Sequence, residues 1–442
     1  MGKGRPRGRP SSFSDSWHTP DTGGQAVVSG WRFPQPMESS EAGAGPAPAK
    51  EPFLVLYDGA ARRGALLSRP LATLTGSEGG LRLSVGDSET RWRGNVLDHL
   101  DEALARAAEE ARRLRLPGAC FAGAFHYDLR RCVERFTAPA PDNLGLPWLR
   151  WHLFGRVTPW TPRGPGLSRG PALRPLGSSL DRPAFERAVR RILDHEVRGD
   201  TYQVNLTRQV RCAPPQDPFS LWDELALRAR APFCAYAGFG EFRILSLSPE
   251  RFLAREGDRV WTEPIKGTVP RGESPEEDAA NLARLLAGEK EAAELAMIVD
   301  VERNDLGRVA VPGGVRLPAH REVLTLPNVH HLVSRVEAEL RPGTGLSDLL
   351  RAAFPGGSVT GAPKIRAMQI IDELEPVSRG FYCGALGWMD LRGDMDLSLT
   401  IRTATDAGGA LHFGVGGGIV ADSDPTAEWE ETVAKGRCFL GD

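Results

Sequence analysis

Apolar positions along this chain recur with two different periods. Residues 53–59 (FLVLYDG), 80–86 (GLRLSVG) and 121–129 (FAGAFHYDL) are short apolar or alternating runs of strand type. Between them Leu97, Leu100, Leu104 and Ala107 are spaced for one face of a helix near Asn95 to Leu114. A second helix is bounded on both sides. Asp181 caps it, Pro183 suits its first turn, Phe185, Val189, Ile192, Leu193 and Val197 form its stripe, and Gly199 ends it. Ser274-Pro275-Glu276-Glu277 reads as a capping box for a third helix, carrying Leu282, Leu285 and Leu286 up to a break at Gly288. A last helix takes Asp424 as cap and Pro425 as first residue, with Gly436 as its stop. Further strand-like runs lie at 202–210, 329–340, 381–390, 396–404 and 411–420. Antiparallel strand runs mixed with long helices, and no short repeat, predict an α+β fold.

The first fifty residues are rich in Gly, Pro and Ser and lack such periodicity, which predicts a disordered tail over 1–50 with Met37 as an alternative start. A Pro/Gly-rich stretch at 163–177 divides an N-terminal region, 51–162, from a larger region, 178–440. Composition narrows the functional classes. The 442 residues carry a net charge of only −2, too little positive field for a nucleic-acid binder. No apolar run approaches a membrane span, so neither nucleic acid nor membrane is expected as a partner. Six scattered cysteines without C-x-x-C spacing read as free thiols in a reducing, cytoplasmic setting. Only six of the 55 basic residues are lysine, so a lysine inside the folded region points to chemistry that arginine cannot do.

Three constellations could carry that chemistry. Glu291 and Glu294 share one helix face, and Glu428 and Glu431 repeat the spacing, with Lys435 one turn beyond Glu431. Two such faces, brought together, would offer hard oxygen ligands to Mg²⁺; apart, they are ordinary solvated helix faces. Lys266 lies in the loop EPIKGTVPRG, before a glycine that permits close approach of a substrate. As a nucleophile this lysine needs burial to lose its proton near neutrality; otherwise it is an exposed turn residue. The segments GVGGGIV (414–420) and PGGSVTGAPK (355–364) fit neither a dinucleotide fingerprint nor a Walker loop. Both can instead present backbone N–H groups to a carboxylate.

In order along the chain, GDTYQVNLTR, SPERFL, EPIKGTVPRG, KEAAELAMIVDVERNDLGRVA, HHLVS, FPGGSVTGAPKIRAM, FYCGALGW, LTIRTA and GGGIVADSDPTAEWEETVAK resemble the chorismate-utilising enzymes of the anthranilate synthase component I type. The resemblance covers about 181–440, with a weaker likeness over 52–162. It implies a two-layer α/β sandwich, rich in antiparallel sheet with helices outside, around a deep central cleft. It further implies Mg²⁺ bound by Glu294 and Glu431, with Glu291 and Glu428 behind them. Arg402 and Lys435 would hold the carboxylates of chorismate, helped by Tyr382 and the Gly416 and Gly418 amides. His331 and Thr268 would line the site, and Glu250 would protonate the departing hydroxyl.

Two positions discriminate within the family. Members that add water carry a lysine base where this chain has Gln203, which cannot take a proton from water. Anthranilate-forming members read Pro-Ile-Ala-Gly-Thr where this chain has Pro264-Ile265-Lys266-Gly267-Thr268. That lysine marks the aminodeoxychorismate-forming branch, in which it attacks ring C2 before ammonia enters at C4. The expectation is therefore C4 amination of chorismate towards p-aminobenzoate and folate; anthranilate or 2-amino-2-deoxyisochorismate formation is the alternative. No cysteine sits in a G-x-C-x-G nucleophile turn, so the ammonia would come from a separate glutaminase (glutamine amidotransferase) subunit. The chain departs from the family pattern at Leu295-Ala296 and at Val301-Glu302.

Overall fold

Strands whose side chains are covered on both faces form the centre. Phe53–Asp58, Cys120–Phe125 and Phe233–Gly238 are buried at every position, which explains their unbroken apolar sequence. The computed structural model describes residues 30–34, 52–162 and 173–441. Every strand ladder among these residues is antiparallel, as in the neighbours Phe53–Asp58 with Phe233–Gly238 and Cys120–Phe125 with Ala385–Asp390. The N-terminal region thus adds strands to the sheet of the larger region, and the two share one body. No helix among the described residues is long and apolar enough to cross a membrane, and all six cysteines are free.

Helices close the outside through their apolar stripes. Asn95 accepts from the Leu97 N–H to start Val96–Arg113, which buries Leu97, Leu100, Leu104 and Ala107. Asp181 accepts from the Ala184 N–H to start Arg182–Val197. That helix sets Phe185, Val189 and Ile192, all fully buried, against Val204, Leu206 and Ile419. Each such side chain contributes roughly 1.5–3 kcal/mol relative to exposure. Ser274 accepts from the Glu277 N–H at 3.2 Å, whereas the Glu277 carboxylate takes the N–H of Glu273, so only half of the capping box forms.

Two boundaries differ from the sequence reading. Gly436 does not end the last helix, which runs Pro425–Leu440 and stops at Gly441 with φ +76°. Gly436 lies buried within the helix, facing Phe413 and Val415 of the sheet, and Phe439 is buried one turn later. The run 396–404 is two strands, Met395–Leu399 and Thr403–Ala407, broken where Arg402 takes φ +48°. The divide at 163–177 lies outside the described residues as far as 172, and beyond that Pro175–Ser178 pairs as an edge strand with Gln203–Cys212. Of the expected tail, only residues 30–34 are described, and Trp31 is fully buried.

Asp424 accepts from the N–H groups of Thr426 and Ala427 at 3.0 and 2.9 Å and so starts the helix that carries Glu428 and Glu431. Asp424→Ala should cost about 1 kcal/mol of stability, read as a lower urea midpoint with an unchanged slope.

Candidate active site

A bulge sets the central lysine. The strand Ile265–Pro270 pairs with Val329–Leu340, with Lys266 opposite Leu332 and Thr268 opposite His331, leaving Gly267 as the extra residue. Gly267 takes φ +71°, and a Cβ there would lie 2.8 Å from a Leu285 methyl and 3.2 Å from Glu291 Cγ. Only glycine allows this turn and this close approach of strand to helix. The bulge interrupts strict alternation, and the two neighbours meet different partners. Lys266 Nζ lies 4.0 Å from Glu294 Oε2, with the lysine side chain 15% exposed. Thr268 Oγ1 bonds His331 Nδ1 at 2.8 Å.

Glu250 sits beneath the same turn. It is buried, accepts from Ser358 Oγ at 2.6 Å and from the Ile265 N–H, and feels the charge of Lys266. Burial outweighs these favourable contacts and pushes its carboxyl up to about 7. At neutrality a large share of Glu250 therefore holds a proton. Glu302, also buried, is driven well above the usual carboxylate range by burial and then by the charges of Glu250 and Asp305. One Glu302 oxygen has no hydrogen-bond partner among the described residues. Glu302 departs from the family pattern in sequence, but nothing in its spacing revealed that it faces Glu250.

The two acidic helices, Glu289–Gly307 and Pro425–Leu440, bring their carboxylates to this side of the sheet. A Cβ on Gly417 would lie 3.2 Å from a Glu428 oxygen and 3.5 Å from a Glu431 oxygen. Ser423 Oγ donates to Glu428 at 2.6 Å, and Lys290 Nζ lies 4.0 Å from the same oxygen. Burial raises the Glu428 carboxyl against these partners. Burial also acts on Glu431, but Lys435, Lys290 and Lys266 together hold it below its ordinary value. Half of the Glu431 side chain stays open to solvent. Lys435 Nζ bonds Glu431 at 2.6 Å and the Gly416 carbonyl at 2.9 Å. Three of the chain's six lysines thus meet three of these glutamates, Glu294, Glu428 and Glu431. Among the described residues no three metal-ligating side chains are drawn into one cluster. The donor set nevertheless suits a hard divalent cation, with ammonium groups now beside the carboxylates that would bind it.

The glycine strand Ala410–Ile419 has free backbone donors. It pairs with Gln203–Cys212, Gly416 opposite Thr207 and Gly418 opposite Asn205. Thr207 N–H donates instead to Glu375, and Asn205 N–H to the Thr360 carbonyl. These are therefore the non-bonded pairs of the ladder, and the Gly416 and Gly418 N–H groups point away from it. Their Cβ positions are filled, by Leu206 O at 2.3 Å and by Gln203 Nε2 at 1.9 Å. Gln203 is buried and its Oε1 lacks a partner among the described residues. Tyr382 packs its ring where a Gly414 side chain would stand, two residues along the strand from Gly416. The Arg402 guanidinium forms no ion pair or hydrogen bond with the described residues, yet its charge reaches His331. Burial, then Arg402, brings the His331 imidazole down to about 4, so it is neutral, and its buried Nε2 has no partner among the described residues.

A guanidinium and strand amides without partners among the described residues, together with a carboxyl that holds a proton and a lysine, can hold a small polyanion and deliver a proton to it. Residues 55–441 match the chorismate binding enzyme family. The chain belongs to that family. Among curated relatives of this chorismate binding enzyme, aminodeoxychorismate synthase component 1 of Escherichia coli is 46% identical over 258 residues, 58% of this chain and 57% of the relative. The match thus spans little more than half the length of that relative. Anthranilate synthase component 1 of Pseudomonas putida is 44% identical over 361 residues, 72% of this chain and 73% of the relative. The crystal structure of anthranilate synthase component I from Streptococcus pneumoniae superposes with a TM-score of 0.75 at 26% identity, covering 91% of this chain and 95% of that one. The expected fold class, α+β of the chorismate-utilising type, is the one observed.

Sequence reasoning missed Ser358, Glu302 and the buried pair Arg379–Glu375, which bonds Thr207 N–H, the Asn205 carbonyl and the Val359 carbonyl. Nothing in local pattern signals a buried charge pair; only its neighbours in space do.

The Glu250 proton has a consequence for stability. Its folded value, about 7, lies above the ordinary 4.5, so the unfolded chain ionises first as pH rises and folding loses free energy across that window. Relative to Glu250→Gln, the native chain should lose about 3 kcal/mol between pH 4.5 and 7.5. Urea unfolding of both proteins across that range checks it, and parallel stability curves would refute it.

Proposed function

We propose that this chain is the large subunit of an aminodeoxychorismate synthase, turning chorismate and ammonia into 4-amino-4-deoxychorismate on the way to p-aminobenzoate. The observation that carries this reading is Lys266, held by the Gly267 bulge between Glu294 and the carboxyl of Glu250. The identity of the relatives named aminodeoxychorismate synthase component 1 supports it, as does "component 1" itself, which speaks for a partner. That partner is a glutaminase subunit that releases ammonia.

Arg402, Lys435 and the Gly416 and Gly418 amides bind the two carboxylates of chorismate. Glu294 and Glu431, backed by Glu291 and Glu428, would hold Mg²⁺, which neutralises the ring carboxylate when bound. Thr268 and neutral His331 orient the substrate without adding charge. Glu250 gives its proton to the C4 hydroxyl, which leaves as water. Lys266, once its ammonium has yielded a proton to solvent, forms a bond to C2 in the same step, and both ring double bonds shift to release that water. Ammonia then bonds to C4, the double bonds return, and the C2–N bond breaks to restore the lysine. Two successive allylic displacements place the new amino group where the hydroxyl was. Gln203, an amide, leaves water without a base at that side.

Incubating the chain with chorismate, Mg²⁺ and ammonium should yield the 4-amino product by chromatography and mass spectrometry; an ortho-amino product would assign the chain to the anthranilate-type reaction instead. Glu250→Gln should lower turnover by roughly 10²–10⁴-fold. Lys266→Ala should abolish C4 amination while chorismate still binds, and undiminished turnover in that variant would remove the covalent step. Calorimetric titration with Mg²⁺ should show weaker binding in Glu431→Gln, whether or not the enzyme turns over.

A further inference from the structure

Residues 30–34 lie far in sequence from everything they touch, yet each is seated. A Cβ on Gly30 would lie 2.2 Å from Asp58 Oδ2, so this residue rests directly on the Asp58 carboxylate. Trp31 is fully buried, its indole N–H donates to the Cys234 carbonyl at 2.9 Å, and its ring meets Phe233 edge-on at 5.2 Å. Arg32 bonds Asp396 through its backbone N–H at 2.9 Å, pairs with Glu256 at 3.1 Å and covers the Trp261 ring. The ring of Phe33 lies under the Arg63 guanidinium.

These contacts converge on one buried arginine. Arg251, beside Glu250 in sequence, donates to the Gly30 carbonyl at 3.0 Å and to both oxygens of Asp396 at 2.9 and 3.1 Å. It also pairs with Glu263, which lies three residues before Lys266, and stacks over Phe233, the ring that Trp31 touches. Asp396 in turn receives the Arg32 N–H. Segment 30–34 therefore supplies one acceptor to Arg251 directly and one donor to its carboxylate partner. A buried guanidinium and carboxylate tolerate loss of such partners poorly, so their geometry depends on them.

We propose that Gly30–Pro34 is a strap that positions the active centre: by fixing Arg251 through the Gly30 carbonyl and Asp396, it holds Glu250 and the Glu263–Lys266 turn in register. Trp31 is the anchor of the strap and a positioning residue, since it touches no reacting group. The inference rests on the proposed role of Glu250 for its effect on turnover, but not for its effect on structure.

Hydrogen exchange read by mass spectrometry on the full chain tests it without reference to activity. Trp31→Ala should raise exchange at least tenfold in peptides covering 249–256 and 259–266, while helices Arg182–Val197 and Lys364–Leu374 keep native protection. Trp31→Phe, which retains a ring but loses the indole bond, should fall between, and it carries the test if the alanine variant does not fold. With chorismate and ammonium, Trp31→Ala should lower kcat at least tenfold and leave KM within twofold. Trp31→Phe should recover most of that loss. Exchange that rises only around 233–238, or equally everywhere, overturns the strap; so does a kcat that tracks only the folded fraction. A native chain that does not turn over chorismate would sink the functional reading alone, and the exchange pattern would still decide the strap.

Discussion

One residue too many in the Ile265–Pro270 strand governs what the cleft can do. Regular pleating sends successive side chains to opposite faces and i, i+2 side chains to the same one, so it would aim Lys266 and Thr268 together. The Gly267 bulge releases that rule where Lys266 must reach Glu294 and Thr268 must reach His331. It also brings the strand against Leu285 and Glu291 closely enough that any side chain on Gly267 would collide. The acidic helix and the lysine strand are thus fixed relative to each other by backbone, the stiffest part of the protein. A left-handed backbone at one glycine is the condition for a site whose other members sit on regular elements.

Within that frame, burial sorts the carboxyl groups into two kinds. Glu250 and Glu302 are enclosed and retain protons, because charge separated from water costs more than their hydrogen bonds return. Glu431 stays at the solvent edge with Lys435 and Lys290 beside it and remains ionised. The same residue type therefore offers a proton donor in the interior and an anionic ligand at the mouth. His331, buried beside a guanidinium, is held neutral by the same physics and adds no charge to its surroundings.

How much of this was legible in the sequence follows from the range of the forces involved. Caps such as Asp181 and Asp424 act over three residues, and both stand where the local pattern placed them. The i, i+3 acidic pairs were visible for the same reason, as was the suspicion attached to Lys266. Gly436 was misread because a glycine near a helix end looks like a stop unless the sheet it packs against is known. Glu302 and the Arg379–Glu375 pair were silent, since their meaning lies in neighbours some tens to hundreds of residues away. Trp31 was the most deceptive, because a single anchored residue leaves no period in a Gly/Pro-rich stretch.

The division of labour between the two basic residue types follows from their chemistry. Arginines do the buried structural work here: Arg251 on Asp396 and Glu263, Arg130 on Asp372, and Arg379 on Glu375, each nearly inaccessible to solvent. A guanidinium keeps its charge under burial and offers a planar fork to a carboxylate, so it locks geometry. An ammonium is a point charge that can shift its contacts and yield its proton. Lys364 is the exception among the described lysines, bonded to Asp305 and to the carbonyls of Ala353 and Pro355. Lys266, Lys290 and Lys435 gather instead around the carboxylates proposed to hold the cation. Guanidinium groups at those three points would hold the glutamates in fixed forks and close the cleft, whereas lysines balance the charge and leave it open to exchange.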